Sequence, residues 1–135
     1  MPNGNIHRTA GAIFGTIVYQ TIQNTLQPNE KYYLGELILS LSIGMSTARL
    51  PDILEPPIHP NHRAFFHSIV FGGITIYIGT QVWKDLQIRR IERIAVRGRQ
   101  WSFNEFADIA IIIASSSVLL HLILDGFTPK GLNFI

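Results

Sequence analysis

The stretch AFFHSIVFGGITIYIGTQVW, residues 64–83, decides the fold class because it contains no acid, lysine or arginine. As an α-helix it would be about 30 Å long, which matches the hydrocarbon thickness of a bilayer. Its only ionisable side chains are His67 and Tyr77. We therefore expect a membrane-spanning helix in this part of the chain.

A second apolar stretch, residues 106–124, predicts another spanning helix. The upstream sequence SFNE, residues 102–105, has the pattern of a capping box, so we expect the helix to begin near Phe103. Gly126, followed closely by Pro129, is the expected end.

Two weaker apolar stretches, residues 9–22 and 33–48, complete a set of four helices. Runs of this length also fit the buried helices of a soluble bundle. The membrane is favoured because only 15% of residues are charged, against about 25% in soluble domains. Gly11 and Gly15 would let two helices approach closely. We expect one all-α domain over residues 1–135, a four-helix transmembrane bundle running up, down, up, down.

The connection between the third and fourth helices is basic. Residues 84–100 carry six Lys or Arg against Asp85 and Glu92, with Ile88 and Ile91 at helical spacing. The pattern fits a basic amphipathic helix on an anionic membrane surface, or a solvated extension of the third helix. Either alternative places this segment in the cytoplasm by the positive-inside rule.

The composition excludes several kinds of chemistry. With no cysteine, the chain has no disulfide, no thiolate metal ligand and no cysteine nucleophile. A net charge of +2 is too small to indicate direct nucleic-acid binding. A metal ion would have to be held by nitrogen and oxygen, which five histidines and nine acids can supply.

Ligand-type residues gather at one end of the predicted bundle, opposite the basic segment. His121 and Asp125 are four residues apart and share a helical face, and Asp52 and Glu55 are three apart at a helix terminus. Carboxylates with imidazoles suit zinc first, with manganese or iron as alternatives. The residues that fall at this end are His7, Asp52, Glu55, His62, His67, His121 and Asp125.

Three segments of the chain resemble a known family. They are LPD (residues 50–52), HRAFFHS (residues 62–68) and HLILDGFT (residues 121–128). Together with His7 they resemble the YdjM-like family of membrane-bound, metal-dependent hydrolases, which is also described as inner-membrane-associated and LexA-binding. That family carries an amino-terminal His, then Leu-Pro-Asp-x-Asp, His-Arg-Gly-x-Thr-His-Ser and His-x-x-x-Asp-x-x-Thr. The resemblance covers nearly the whole chain in order.

The chain departs from the family pattern in two of these segments. Leu54 stands where the family has its second aspartate, and Glu55 follows it as a replacement carboxylate. Ala64 and Phe66 replace the usual glycine and threonine. The ligand pattern is also similar to that of zinc-dependent phospholipase C, which implies phosphoester substrates.

These observations predict a multi-pass membrane protein, of the inner membrane in a bacterium, that hydrolyses a phosphoester or lipid-linked substrate with a metal-activated water. The expected ligands are Asp52, His67, His121 and Asp125, together with His7 and His62. Glu55 would be a ligand or the general base, His62 would assist catalysis, and Arg63 would stabilise negative charge. Membrane lipid is the expected partner, and a homo-oligomer is left open. The alternatives are a non-catalytic membrane adaptor with a structural metal site and an ion transporter.

Overall fold

The computed structural model describes residues 4–26, 34–55, 65–96 and 103–127. Within these ranges the chain forms helices and no strand, which confirms the all-α fold class. The helices are α1 (Gly4–Leu26), α2 (Leu34–Thr47), α3 (Leu50–Leu54), α4 (Ile69–Val96) and α5 (Phe103–Gly126).

Helix α5 is the centre of the fold because it packs against each of the other four helices. It begins at Phe103, as the capping-box pattern predicted, and ends at Gly126. Its buried residues Ile113, Ser117, His121 and Asp125 recur every four positions and therefore form one stripe along the helix. The last three residues of this stripe are polar, although the helix as a whole is strongly apolar.

Helices α1 and α2 cross with their backbones almost in contact. A Cβ atom at Gly11 would overlap the carbonyl of Gly44, and one at Gly15 would lie 2.6 Å from the carbonyl oxygen of Ser40. The close approach expected at Gly11 and Gly15 is confirmed, and it also depends on Gly44. Since the later residue of α1 faces the earlier residue of α2, the two helices are antiparallel.

The pairing of α4 with α5 completes the alternating direction of the long helices. The Cβ position of Gly72 lies 3.4 Å from the Leu122 side chain, and that of Gly79 lies 3.4 Å from Ser115. Helices α4 and α5 are therefore antiparallel. His7, near the start of α1, contacts Asp125, near the end of α5, so these two helices are antiparallel as well.

A fifth helix, α3, was not predicted. Pro51 occupies its first turn, where its missing N–H removes no hydrogen bond. In an uninterrupted continuation of α2, the same proline would lack the bond to the carbonyl four residues earlier. The chain therefore ends α2 at Thr47 and restarts as a separate five-residue helix.

The four predicted spans are not established by the structure. Among the described residues, α5 is the one helix that is long and apolar enough to cross a membrane, while the apolar α2 is shorter. Helix α4 begins at Ile69, so only residues 69–83 precede Lys84. That length corresponds to about 22 Å of helix, against the roughly 30 Å of a bilayer core.

The basic segment is continuous with α4 as far as Val96. It therefore extends the third long helix, and a separate surface helix between α4 and α5 is not present in the described part of this segment. Residues 97–100 lie outside the described ranges.

An apolar core lies between the two ends of the bundle. Its buried members come from three helices, with Tyr19 and Ile22 on α1, Leu86 on α4, and Ile109 and Ile113 on α5. This core separates two clusters of buried polar side chains, one at each end.

Candidate metal centre

Two helices and one turn bring ligand-type side chains to one end of α5. His121 and Asp125 are one turn apart on α5, and α3 packs against that helix with Asp52. His67 lies in the turn before α4, where the N–H of Ser68 bonds the carbonyl of Phe65. The structure thus assembles Asp52, His67, His121 and Asp125, called here the metal cluster.

The four donor atoms of the metal cluster lie within 4.8 Å of one another, and each pair that includes an imidazole nitrogen has a spacing close to that of a tetrahedral site. Nε2 of His67 and Nε2 of His121 are 3.3 Å apart, and Asp52 Oδ1 lies 3.3 Å and 3.6 Å from them respectively. Asp125 Oδ2 lies 3.6 Å from each of the two nitrogens. Around a zinc ion with bonds of about 2.0–2.1 Å, tetrahedral donors are separated by about 3.3–3.4 Å.

Burial within the metal cluster is uneven. The side chains of His67, His121 and Asp125 are at most 1% exposed, whereas the side chain of Asp52 is 21% exposed. Asp52 therefore marks the side from which solvent reaches the cluster. A donor set of two imidazoles and two carboxylates fits a divalent ion such as zinc, manganese or iron.

Glu55 holds the His67 ring from the side opposite the cluster. Its Oε2 lies 3.1 Å from His67 Nδ1, and its Oε1 accepts a 2.7 Å hydrogen bond from the N–H of Phe65. A carboxylate on the second nitrogen of a ligand histidine fixes the tautomer and orients the ring. Glu55 thus contacts His67 where a positioning group would, and it is not one of the four clustered donors.

The carboxylates and the histidine shift each other's ionisation. Burial works against the ionised forms, yet hydrogen bonding to His67 leaves the pKa of Asp52 lowered. The pKa of Glu55 is also lowered, because backbone N–H groups of Phe66 and Phe65 and the His67 ring outweigh its burial. Burial alone would lower the pKa of His67, but Asp52 and Glu55 raise it.

His7 lies beside the metal cluster without joining its four donors. Its Nε2 is 3.5 Å from Oδ1 of Asp125, the carboxylate oxygen that faces away from His67 and His121. Its ring stacks on His121, with ring centroids 4.2 Å apart. His7 and His121 each have a buried Nδ1 without a hydrogen-bond partner among the described residues.

Two of the predicted site residues, His62 and Arg63, lie outside the described residues. A different arginine, Arg49, was missed. Its guanidinium lies 3.5–3.7 Å from the Cβ position of Gly4, one turn before His7 in α1, and its buried Nε has no hydrogen-bond partner among the described residues. The sequence signal that could have identified Arg49 is its position three residues before Asp52, immediately before α3 begins.

A second polar cluster at the other end of the bundle was also missed. Gln23 accepts a 3.0 Å hydrogen bond from Arg90 and donates to Tyr19 and Glu36 at 3.0 Å and 3.1 Å. Tyr19 donates to Glu36 at 2.5 Å, and Arg90 lies 3.6 Å from Glu105. We call these five residues the Arg90 cluster.

The family comparison decides the classification of the chain. The family model described as YdjM inner membrane protein matches residues 1–135. The chain belongs to that family. Searches of curated proteins and of solved structures each found no match. Family membership confirms the resemblance drawn from the sequence motifs and supports a membrane location, together with the apolar helix α5.

Proposed function

We propose that this YdjM family member is a multi-pass membrane hydrolase that uses a divalent metal ion held by Asp52, His67, His121 and Asp125. The observation that carries the proposal is the convergence of four donor atoms from α3, α5 and the turn before α4, with each imidazole nitrogen 3.3–3.6 Å from the other three donors. A bound divalent ion would supply acidification of a water molecule and polarisation of a phosphoryl oxygen.

The uneven burial of the four donors supports catalysis over a purely structural site. Structural zinc sites are closed by four protein ligands, whereas catalytic sites keep a position for water. His67, His121 and Asp125 form a fully buried set of three, and Asp52 is the donor on the solvent side. Asp52 is therefore the residue positioned to hold, or to share, a water molecule at the open face.

The other residues have supporting roles in this proposal. Glu55 orients His67, and its ionised form is favoured by its lowered pKa. The guanidinium of Arg49 is a positive group near the amino end of α1, where it favours a negatively charged substrate. Arg63, which was assigned this task from the sequence, remains a second candidate.

Apolar side chains around the metal cluster favour a lipid-linked phosphoester as the substrate. Exposed apolar residues occur on α3, in the turn before α4, and near the ends of α1 and α5 that meet at the cluster. They are Ile6, Leu50, Ile53, Leu54, Phe65, Ile69 and Phe127. An amphiphile could place its chain against these residues and its phosphate at Asp52.

The location and orientation follow the charge pattern. Helix α5 would span the bilayer with α1, α2 and α4 around it, the basic end of α4 in the cytoplasm and the metal cluster at the opposite face. The absence of cysteine makes single-cysteine labelling straightforward. Cysteines at Gln87 and Ile53 should be modified from opposite sides of sealed vesicles, and modification from one side only would contradict this orientation.

The rival proposal is a membrane adaptor in which the four donors close a structural metal site. The number of protein donors favours it, since four suffice for tetrahedral zinc. The test is release of phosphate or headgroup from soluble and lipid phosphoesters by zinc-loaded and metal-depleted protein. Asp52→Asn should lower zinc affinity and abolish release even at zinc concentrations that saturate the variant. The adaptor is favoured if zinc-loaded wild-type protein is inactive and X-ray absorption finds four protein donors without water.

A further inference from the structure

The two histidines of the metal cluster differ in what contacts their second nitrogen. His67 Nδ1 faces the Glu55 carboxylate at 3.1 Å. His121 is fully buried, and its Nδ1 has no hydrogen-bond partner among the described residues. We infer that Ser117 is the positioning residue for His121, accepting a hydrogen bond from its Nδ1–H in the metal-loaded protein. This inference rests on the metal binding in the proposed function and is independent of hydrolysis.

Metal binding would determine where the histidine protons reside. The Nε2 atoms of His67 and His121 face each other at 3.3 Å, so an ion in the cluster takes the lone pairs of both. A neutral imidazole that gives one lone pair to a metal carries its proton on the other nitrogen. For His67 that proton meets Glu55. For His121 it creates a fully buried donor, which is costly unless an acceptor lies within reach.

Ser117 has the position of such an acceptor. It lies four residues before His121 on the same buried stripe of α5, and side chains of an α-helix lean toward the preceding turn. Its Oγ is fully buried and has no hydrogen-bond partner among the described residues. The neighbouring Ser116 behaves differently, because its hydroxyl donates to the carbonyl of Ile112 at 2.8 Å.

The other nearby candidate, His7, is in the wrong orientation. Its ring stacks on that of His121 at 4.2 Å with an interplanar angle of 35°. The lone pair of a ring nitrogen lies in the plane of the ring, so a stacked imidazole presents its face to its neighbour instead. A small rotation about the Ser117 side chain, by contrast, needs no movement of the helices.

The experiment compares zinc affinity in three full-length variants, measured in detergent by competition with a chromogenic chelator. Ser117→Ala should weaken zinc binding by about 10- to 100-fold, the usual effect of losing a partner of a ligand histidine. Ser117→Thr keeps the hydroxyl and should recover most of this loss. Ser116→Ala is the matched control and should bind zinc as the wild type does. Melting of the metal-free proteins separates loss of affinity from loss of folding.

A second measurement uses the wild-type protein alone. Nitrogen-15 NMR of the zinc-loaded protein should show His121 with zinc on Nε2 and an exchange-protected proton on Nδ1. The inference is overturned if zinc is on Nδ1, if Ser117→Ala binds zinc like the wild type, or if the wild type binds no zinc. Reduced affinity in Ser117→Ala without any hydrolysis by the wild type would instead support the inference and contradict the hydrolase.

Discussion

The two polar clusters at the ends of the bundle are both largely buried, but they differ in how their charges are balanced. In the Arg90 cluster, donors meet acceptors at 2.5–3.1 Å, and Arg90 offsets the charge of Glu105. In the metal cluster, each of two imidazole nitrogens lies 3.3–3.6 Å from the other nitrogen and from two carboxylate oxygens. The first is completed by the protein itself, while the second is complementary to a cation.

This contrast predicts that substitutions in the two clusters affect different properties of the protein. Loss of an Arg90-cluster member should affect folding and leave metal affinity unchanged. Loss of a metal-cluster member should chiefly lower metal affinity, because these four donors contribute to stability mainly through the ion that they bind.

The largest expected effect comes from Arg90→Met. It leaves Glu105 as a buried charge without its arginine, which costs about 3–5 kcal/mol of unfolding free energy. Denaturation in detergent, followed by circular dichroism, measures this change. Replacing both residues, Arg90→Met with Glu105→Leu, should recover much of the loss, whereas a double variant as unstable as the single one would contradict the charge argument.

Arg89 supplies a matched control on the next residue of α4. Its side chain is 44% exposed and lies 3.0 Å from Asp108. The Asp108 side chain is 13% exposed, so the pair is partly solvated, and Arg89→Met should cost clearly less stability than Arg90→Met.

The second effect is loss of metal from His121→Ala. Apparent binding energies of four-ligand zinc sites are about 10–16 kcal/mol, which is about 2.5–4 kcal/mol per ligand, or about 100- to 1,000-fold in affinity. Elemental analysis and chelator competition measure it. Unchanged zinc affinity in both His121→Ala and His67→Ala would show that the cluster is not a metal site.

The sequence predicted the metal cluster better than it predicted the helices around it. The spacing of His121 and Asp125 places them on one face of any helix, and alternation of helix direction sorts the remaining ligands to the same end. The start of α5 at Phe103 followed from the capping box. These features depend on local spacing alone, and for that reason they could be read from one sequence.

The missed features depend on long-range packing. The partnership of Arg90 with Gln23 and Glu105 joins three helices, and no local pattern on α4 identifies its partners. The short α3 begins next to Pro51 and has only five residues, too few for a hydrophobic period to predict it. The stretch at residues 64–83 predicted a full span because its apolar composition begins before the helix does: residues 65–68 form a turn, and α4 begins at Ile69, two residues after His67.

The third prediction separates two roles for Glu55. As the partner of His67, Glu55→Ala should weaken zinc binding by about 10- to 100-fold, and Glu55→Gln, which keeps an acceptor oxygen for His67 Nδ1–H, should weaken it less. As a general base, Glu55→Gln would retain zinc and lose about 100-fold or more of the hydrolysis rate. Zinc content and hydrolysis rate measured on the same samples distinguish the two roles.

The smallest expected effect is the pH dependence of the metal-free protein. The folded pKa of His67 is raised above 6.5, so its protonated form adds stability below pH 6.5 that is lost as the pH rises through the folded pKa. The folded pKa values of Asp52 and Glu55 are lowered below 3.8 and 4.5, so their ionised forms add stability above those values that is lost on acidification. The groups that face them from other helices are His7, His121 and Asp125.

The contribution of these three residues to the stability of the metal-free protein is therefore largest between about pH 4.5 and 6.5, with changes in Tm of only a few degrees on either side. Zinc should reverse the loss of stability at higher pH, because it binds deprotonated histidine and competes with the proton. Thermal melts from pH 4 to 8, with zinc and with a chelator, should therefore diverge as the pH rises. The Arg90→Met/Glu105→Leu double variant should show the same divergence, since its changes lie at the other end of the bundle. Parallel curves with and without zinc would mean that His67 does not exchange its proton for a metal ion.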